Sequence, residues 1–384
     1  MSILEVEFTT ETDHSDGTYM DSNPSSARSS LNSIEMRYMN HLVGPGTTSS
    51  RLETSKRFVI RETDISRKLM AERRCVVQRQ CEIDNVSDLL SLNFIFDDEF
   101  LGKCLPADVF TAAMSVPVPD PSEDEFRVLS LCSVYAARQS FMDTKNFILT
   151  QFQTGTLTSE MLQVFTYRPH LWQDPSFEVP TPLSLAKNED TYLECNVKAI
   201  IFSVLGNLDI TDHWTRDPLP TPQGFEEMYI PDYYGEKSGL PFMVVEVKRP
   251  EIRDDRLESD KRKLPSMMKI MLDRLLSNGV KDPVVIGILV SASRCNVLIM
   301  ALEYEALYLC KKVGSFELPK NNLQLGLLLP ALGPLHFIQG LATEMVAAIE
   351  NRASNEKNTV RRLRRPSYYI KGIRIPVALS TLGK

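Results

Sequence analysis

Apolar and polar positions follow regular patterns in the second half of the chain, from residue 188 to residue 350. The runs PFMVVEVK and PVVIGILV are mostly apolar, which predicts strands buried on both faces. NEDTYLECNVKAIIFSVLGN has apolar residues at helical spacing and predicts a helix that ends at Gly206. PSMMKIMLDRLLSNG predicts a second helix, with Pro265 near its first turn and Gly279 just past its end.

The segments that follow extend the same pattern. CNVLIMALEYEALYLCKKV predicts one or two further strands, and PLHFIQGLATEMVAAIEN predicts a closing helix. The predicted order is therefore helix, a loop or strand around Asp232, strand, helix, strand, strand, helix. Strands that alternate with helices are typical of an α/β fold with a central sheet. We predict such a domain over residues 188–350.

The rest of the chain has weaker patterns. Residues 1–55 are rich in Ser, Thr, Asn, Asp and Gly, which predicts a disordered leader. Residues 57–175 contain several stretches with helical spacing and predict a mostly helical region, to which the sequence assigns no role. Residues 352–384 carry nine Lys and Arg against one Glu and form a basic C-terminal tail. This tail is either a nucleic-acid-binding segment, a disordered tail or a nuclear-import signal.

Composition narrows the class of protein. The 384 residues carry a formal net charge of -7, so any contact with nucleic acid has to come from a local basic patch. The seven cysteines form no C-x-x-C pair, which is typical of reduced thiols inside the cell. The chain does not begin with a secretory signal, and no stretch reaches the roughly 18 uninterrupted apolar residues of a membrane span. We expect a protein of the nucleus or cytoplasm that is not secreted and has no membrane partner.

Candidate chemistry is concentrated in MYIPDYYGEKSGLPFMVVEVKRPE. Thirteen residues separate Asp232 from Glu246, and Lys248 follows Glu246 by two positions. Side chains alternate along a strand, so Glu246 and Lys248 project from the same face. Charged groups in an otherwise apolar strand are costly to bury unless they are paired. A divalent cation and a phosphate would provide that pairing.

These residue types suit metal-dependent hydrolysis of a phosphodiester. Mg²⁺ prefers oxygen ligands and is often held by one or two carboxylates, here Asp232 and Glu246, with Mn²⁺ as a substitute. The backbone carbonyl of Val247 could be a third ligand. Lys248 would orient the attacking water or neutralise charge in the transition state. Glu194 lies on the apolar stripe of its predicted helix, with Val197 and Ile201, which is consistent with a position facing the same site.

This arrangement resembles the PD-(D/E)XK superfamily, the nucleases with a restriction-endonuclease-like fold. Residue by residue, the matches are an acid on the first core helix at Glu194, the Asp of the second core strand at Asp232, and the (D/E)XK triplet at Glu246 and Lys248. The resemblance covers about a third of the chain. It implies a mixed central sheet flanked by helices, and metal-dependent cleavage of nucleic acid.

Several alternatives stay open at this stage. Glu246 and Lys248 could be an ordinary charge pair on an edge strand, Glu194 could pair locally with Lys198, and Asp232 could simply shape a turn. Lys261 and Lys263 could line a phosphate-binding cleft or belong to a solvated helix face. The whole chain could be an inactive nuclease-like module that binds nucleic acid or protein, or an α/β interaction protein unrelated to nucleases. The sequence does not indicate an oligomeric state.

Overall fold

A computed structural model of the chain describes residues 57–60, 62–78, 85–138, 141–155, 192–193, 197–214, 217–219, 229–248, 254–304, 307–319 and 322–352. All described residues belong to one unit of the chain, Ser55–Lys384. The predicted leader, the predicted tail beyond Arg352 and the candidate acid Glu194 lie outside the described residues.

The first part of this unit is mostly helical. A short antiparallel pair joins strands β1 (Val59–Ile60) and β2 (Thr63–Asp64). Then come helices α1 (Ile65–Gln78) and α2 (Val86–Leu92), strand β3 (Ile95–Phe96), and helices α3 (Asp98–Cys104), α4 (Ala107–Met114), α5 (Glu123–Arg138) and α6 (Phe141–Gln153). Helices α2 and α3 begin at side-chain caps, because Asn85 accepts the backbone N–H of Asp88 at 2.8 Å and Asp97 accepts that of Phe100 at 2.9 Å.

The later elements follow the order that the apolar pattern predicts, except that one unpredicted strand, Thr211–Trp214, comes before the strand that follows Asp232. They are helix α7 (Lys198–Leu205), strands β4 (Thr211–Trp214), β5 (Tyr233–Lys237) and β6 (Leu240–Lys248), helix α8 (Asp254–Ser277), strands β7 (Val284–Ser291), β8 (Arg294–Tyr304) and β9 (Leu307–Glu317), a 3₁₀ helix (Asn322–Leu328) and helix α9 (Leu329–Glu350). The segment after Asp232 is thus a strand, and the stretch from Cys295 to Val313 belongs to two strands rather than one.

In the described part of the chain, seven strands form one mixed sheet in the order β3-β9-β8-β7-β6-β5-β4. Two neighbouring pairs, β6 with β7 and β3 with β9, are parallel, and the other pairs are antiparallel. The parallel arrangement of β6 and β7 requires a crossover, which α8 provides. The predicted α/β class, with a mixed sheet flanked by helices, is confirmed.

Helices α8 and α9 cover opposite faces of the sheet. Gly287 of β7 lies against α8, since a Cβ atom added there would sit 2.5 Å from the sulfur of Met268. Gly314 of β9 lies against α9, where an added Cβ would sit 2.7 Å from Cγ of Pro334. The strand register places these two glycines on opposite faces. Val297 of β8 is aligned with both Gly314 and Ile288, and Ile288 directly follows Gly287, so the two neighbours face opposite sides of the sheet. Both glycines allow a helix to approach the sheet closely.

Two predicted helix starts are wrong. The structure begins α8 at Asp254, so that Pro265 lies inside the helix rather than in its first turn. It begins α9 at Leu329, which places Pro334 inside that helix as well. A proline removes one backbone hydrogen bond but does not always end a helix. In α8 the residues before the proline are strong helix formers such as Glu, Lys and Arg, and they extend the helix toward the N-terminus.

The helical part of the unit joins the sheet through β3, and a buried lysine of α8 lies against the neighbouring strand β9. β3 pairs with Tyr308 and Leu309 of β9. The ammonium group of Lys269, on α8, is fully buried and lies 4.7 Å from the ring centroid of Tyr308. Burial lowers the pKa of Lys269 to about 7, although the nearby Asp273 carboxylate raises it. The hydroxyl group of Tyr308 donates to Asp273 at 2.7 Å, so a polar cluster lies under the edge of the sheet.

One stretch of the described chain, Gly326–Glu350, is long and apolar enough to cross a membrane by length and composition. Core helices of soluble proteins pass the same test. This stretch includes α9, which packs on the sheet and buries residues such as Ala331, Ile338 and Ile349. Packing in the core therefore accounts for its apolar composition, and the expectation that the protein has no membrane partner stays a prediction.

Candidate active site

Glu246 lies on an interior strand of the sheet and is completely buried. Its strand, β6, pairs with β5 on one side and with β7 on the other, so the alternative of an ordinary charge pair on an edge strand is wrong. The apolar residues around it explain this position, since every residue from Leu240 to Val247 is buried. A carboxyl group in such a place requires a specific partner.

The partner of Glu246 is Lys263, from α8. The ammonium nitrogen of Lys263 lies 2.7 Å from Oε1 of Glu246 and donates a second hydrogen bond to the backbone carbonyl of Ile230 at 2.8 Å. Lys263 therefore connects the crossover helix, the central strand and the turn that precedes Asp232. The sequence suggested Lys263 as a contact for nucleic acid or part of a solvated helix face. The structure instead places it against the buried carboxylate.

Asp232 is half-buried and lies immediately before β5. Its Oδ2 atom accepts a hydrogen bond of 2.6 Å from the backbone N–H of Val247. The pairing of β5 with β6 ends at Tyr233 and Val245, so beyond that point the Asp232 side chain replaces a backbone acceptor. Asp232 thus has a structural contact, and this contact holds its carboxylate beside the residue that follows Glu246.

The pKa of Glu246 is raised to about 8, mainly because burial disfavours the charged carboxylate. The negative charge of Asp232 raises this pKa further, while the positive charges of Lys263 and Lys248 lower it. Each of these three groups is therefore near enough to Glu246 to act on its charge. The four residues form what we call the charged quartet: Asp232, Glu246, Lys248 and Lys263.

One oxygen atom of the quartet is buried and lacks a hydrogen-bond partner. Among the described residues, nothing donates a hydrogen bond to Oε2 of Glu246. A buried oxygen of this kind usually has a partner, which can be a proton, a water molecule or an ion. Protonation of Glu246, which its raised pKa favours, would give the carboxyl group a hydrogen to donate. A divalent cation would satisfy the same atom in the ionised state.

The donor atoms suit a hard cation such as Mg²⁺ or Mn²⁺. Asp232 and Glu246 offer carboxylate oxygens, and Mg²⁺ is often held by one or two carboxylates together with water. In the part of the chain that the structure describes, no group of three or more His, Cys, Asp and Glu side chains is placed to hold a metal. The quartet can thus provide two protein carboxylates to a cation. Glu194, the third predicted acid, lies outside the described residues.

The remaining predicted side chains have distinct positions. Lys248 is the last residue of β6, is half-buried, and projects from the same face as Glu246. Lys261 is exposed on α8, two residues before Lys263. The structure thus brings Asp232, Glu246 and Lys248 together and leaves Lys261 at the surface.

The sequence contains a signal for the role of Lys263. Met267 and Ile270 follow it by four and seven positions and are both buried, so Lys263 lies on the apolar stripe of its helix. The same reasoning singles out Glu194 on its own predicted helix. A lysine on the buried side of a helix indicates that its charge needs a partner, and the folded structure identifies that partner as Glu246.

Comparisons with protein-family models, with curated proteins and with solved structures found no match to this chain.

Proposed function

We propose that this protein hydrolyses phosphodiester bonds of nucleic acid with a divalent cation held by Asp232 and Glu246. The carrying observation is the charged quartet, in which an aspartate and two lysines act on the charge of a buried glutamate at the end of an interior strand. A buried acid with a raised pKa and specific charge partners is typical of functional sites. The competing explanation of the quartet is a purely structural network that shares a proton and binds no ligand.

The order of elements supports a restriction-endonuclease-like fold for residues 198–291. Helix α7 is followed by three antiparallel strands, β4, β5 and β6, then by helix α8 and the parallel strand β7. Asp232 lies just before the second of these strands, and Glu246 and Lys248 lie at the end of the third. These are the positions that the resemblance to the PD-(D/E)XK superfamily implies.

Each residue of the quartet has a role in this proposal. Asp232 and Glu246 bind the cation, which when present supplies charge stabilisation to the phosphate and lowers the pKa of a water molecule. Lys248, the last residue of β6, orients the attacking water or neutralises charge on the phosphate oxygens. Lys263 holds the Glu246 carboxylate in place through its hydrogen bond of 2.7 Å.

A second candidate function is an inactive module of the same fold that binds nucleic acid or protein. The same contacts also favour this inactive module, because both carboxylates already have partners within the protein. Lys263 pairs with Glu246, and the N–H of Val247 donates to Asp232. In such a module the ammonium group of Lys263 takes the place of a divalent metal ion.

Thermal unfolding with and without Mn²⁺ separates the two candidates. A cation that binds only the folded protein stabilises it by about 2.7 kcal/mol at 100 times its Kd, which would raise the Tm by about 5 °C. Glu246 has to lose its proton first, so the increase should be larger at about pH 8.5 than at about pH 6.5. We expect this increase in the wild-type protein and its loss in Glu246→Gln.

Glu99→Gln is the matched control, because Glu99 is exposed and forms only a surface ion pair with Lys103 among the described residues. Its response to Mn²⁺ should equal that of the wild type. An absent Tm increase in the wild type, or an equal increase in Glu246→Gln, would favour the inactive module.

A further inference from the structure

An exposed cation, Arg294, is aligned with the half-buried Lys248 across the sheet. The register pairs Lys248 of β6 with Ser291 of β7, and Ser291 with Arg294 of β8. Neighbouring strands are about 4.8 Å apart, so the Cα atoms of Lys248 and Arg294 are separated by about 10 Å. The three residues form one row at the end of the sheet where the charged quartet lies.

This row lies on the face of the sheet that carries Glu246. Gly287, four residues before Ser291 on β7, lies against Met268 of α8, and side chains four apart on a strand share a face. Glu246 contacts α8 through Lys263 and therefore belongs to that face as well. A ligand bound at the quartet on this side of the sheet would thus extend toward Arg294.

The turn that presents Arg294 is held firmly. Ala292, in the two-residue turn between β7 and β8, has a φ of 52°, a left-handed conformation that an alanine rarely adopts. Its N–H donates to the carbonyl of Lys248 at 2.8 Å, and its own carbonyl accepts a hydrogen bond from the hydroxyl group of Tyr192. The N–H of Leu318 donates to the carbonyl of Ser293 at 2.7 Å. These bonds fix the turn to β6 and to the end of β9.

The acid that is aligned with Arg294 in the strand register already accepts a hydrogen bond from another residue. Glu317 of β9 is aligned with Arg294, but its Oε2 atom accepts a hydrogen bond of 2.6 Å from the hydroxyl group of Ser293. Arg294 is exposed, and within the described ranges no ion pair involves it. Its guanidinium group is thus directed to solvent from a rigid turn beside the quartet.

We propose that Arg294 binds a backbone phosphate of nucleic acid next to the phosphate at the quartet, as a positioning residue. The identity of the ligand rests on the proposed function. A planar guanidinium group can donate two parallel hydrogen bonds to one phosphate, and a phosphate carries no information on base sequence. Ser291, between the two cations in the row, can donate a third hydrogen bond from its hydroxyl group. The contact holds the chain in register without selecting bases.

The test is the affinity for fluorescein-labelled DNA of mixed sequence, single-stranded and duplex, measured by fluorescence anisotropy in EDTA at several salt concentrations. On the form that the wild type binds, Arg294→Ala should weaken binding about 5- to 10-fold and reduce the slope of log K against log salt by about 1. Arg294→Lys keeps the charge and should keep the slope. Lys281→Ala, before the opposite end of β7, removes an exposed cation far from the row and should leave binding unchanged.

Two results would overturn this inference: affinity of Arg294→Ala within twofold of the wild type, or no binding of either DNA form by the wild type. Because the assay contains no divalent cation, it does not depend on catalysis. A binding defect in Arg294→Ala together with an absence of metal-dependent cleavage in the wild type would support the phosphate contact and contradict the proposed hydrolysis.

Discussion

Asp232→Asn is expected to lower metal-dependent cleavage of nucleic acid by about 10³-fold or more. The substitution removes one of the two charged ligands of the cation, and a loss of about 4 kcal/mol of transition-state stabilisation corresponds to this factor. The fold should persist, because an asparagine oxygen can still accept the hydrogen bond that the N–H of Val247 donates to Asp232. The measurement is the initial rate of cleavage of labelled DNA and RNA with Mn²⁺, with the melting curve of each variant as a check on folding.

Asp209→Asn is the matched control for this experiment. Asp209 is exposed and pairs at 2.7 Å with Lys237, the last residue of β5, whereas Asp232 precedes the first residue of that strand. The control therefore makes the same chemical change at the opposite end of the same strand, and the rate should stay close to that of the wild type. Lys248→Ala should also abolish cleavage with little loss of stability. Cleavage that survives Asp232→Asn or Lys248→Ala would exclude the proposed roles of these residues.

Lys263→Met is expected to destabilise the protein in a pH-dependent manner. The folded-state pKa of Glu246, about 8, lies above its ordinary value of 4.5, so the folded state binds more protons than the unfolded state between these values. The free energy of unfolding contributed by this group therefore falls as pH rises from 4.5 to about 8. Lys263 lowers the pKa of Glu246, and without Lys263 the fall continues to higher pH.

The free energy of unfolding is expected to be lower in Lys263→Met than in the wild type. This loss is about 1 kcal/mol near pH 6, where only hydrogen bonds of a protonated Glu246 are affected. It grows to about 2 to 3 kcal/mol near pH 9, where the wild-type glutamate is ionised and paired. Urea unfolding at the two pH values gives this difference. Lys261→Met, which changes an exposed lysine two residues away on the same helix, should show no such growth. An equal loss at both pH values would contradict the described coupling between Lys263 and Glu246.

The sequence predicted the features of the site that depend on local patterns. The apolar run around Glu246 predicted a strand buried on both faces, and the structure has that strand inside the sheet, between β5 and β7. The alternation of side chains along a strand placed Glu246 and Lys248 on one face. Asp232 was singled out because it lies next to a proline, just ahead of that strand.

Contacts between distant segments could not be predicted in the same way. The pairing of Lys263 with Glu246, and the alignment of Arg294 with Lys248, depend on how a helix and a hairpin return to the sheet. The pairing of β3 with β9 joins segments more than 200 residues apart, and two apolar residues in β3 are too short a pattern to indicate it. Helix starts at proline were misplaced because strong helix formers before Pro265 extended α8 past the expected boundary.

In the proposed function, Asp232 and Glu246 together hold a divalent cation. The most direct test is an anomalous difference map from a crystal of the wild-type protein soaked in Mn²⁺ at about pH 9, above the pKa of Glu246. We expect a Mn²⁺ peak about 2.1 to 2.3 Å from an oxygen atom of each of these two carboxylates. A map without a peak at this position, with the ammonium group of Lys263 still paired to Glu246, would contradict the proposed function.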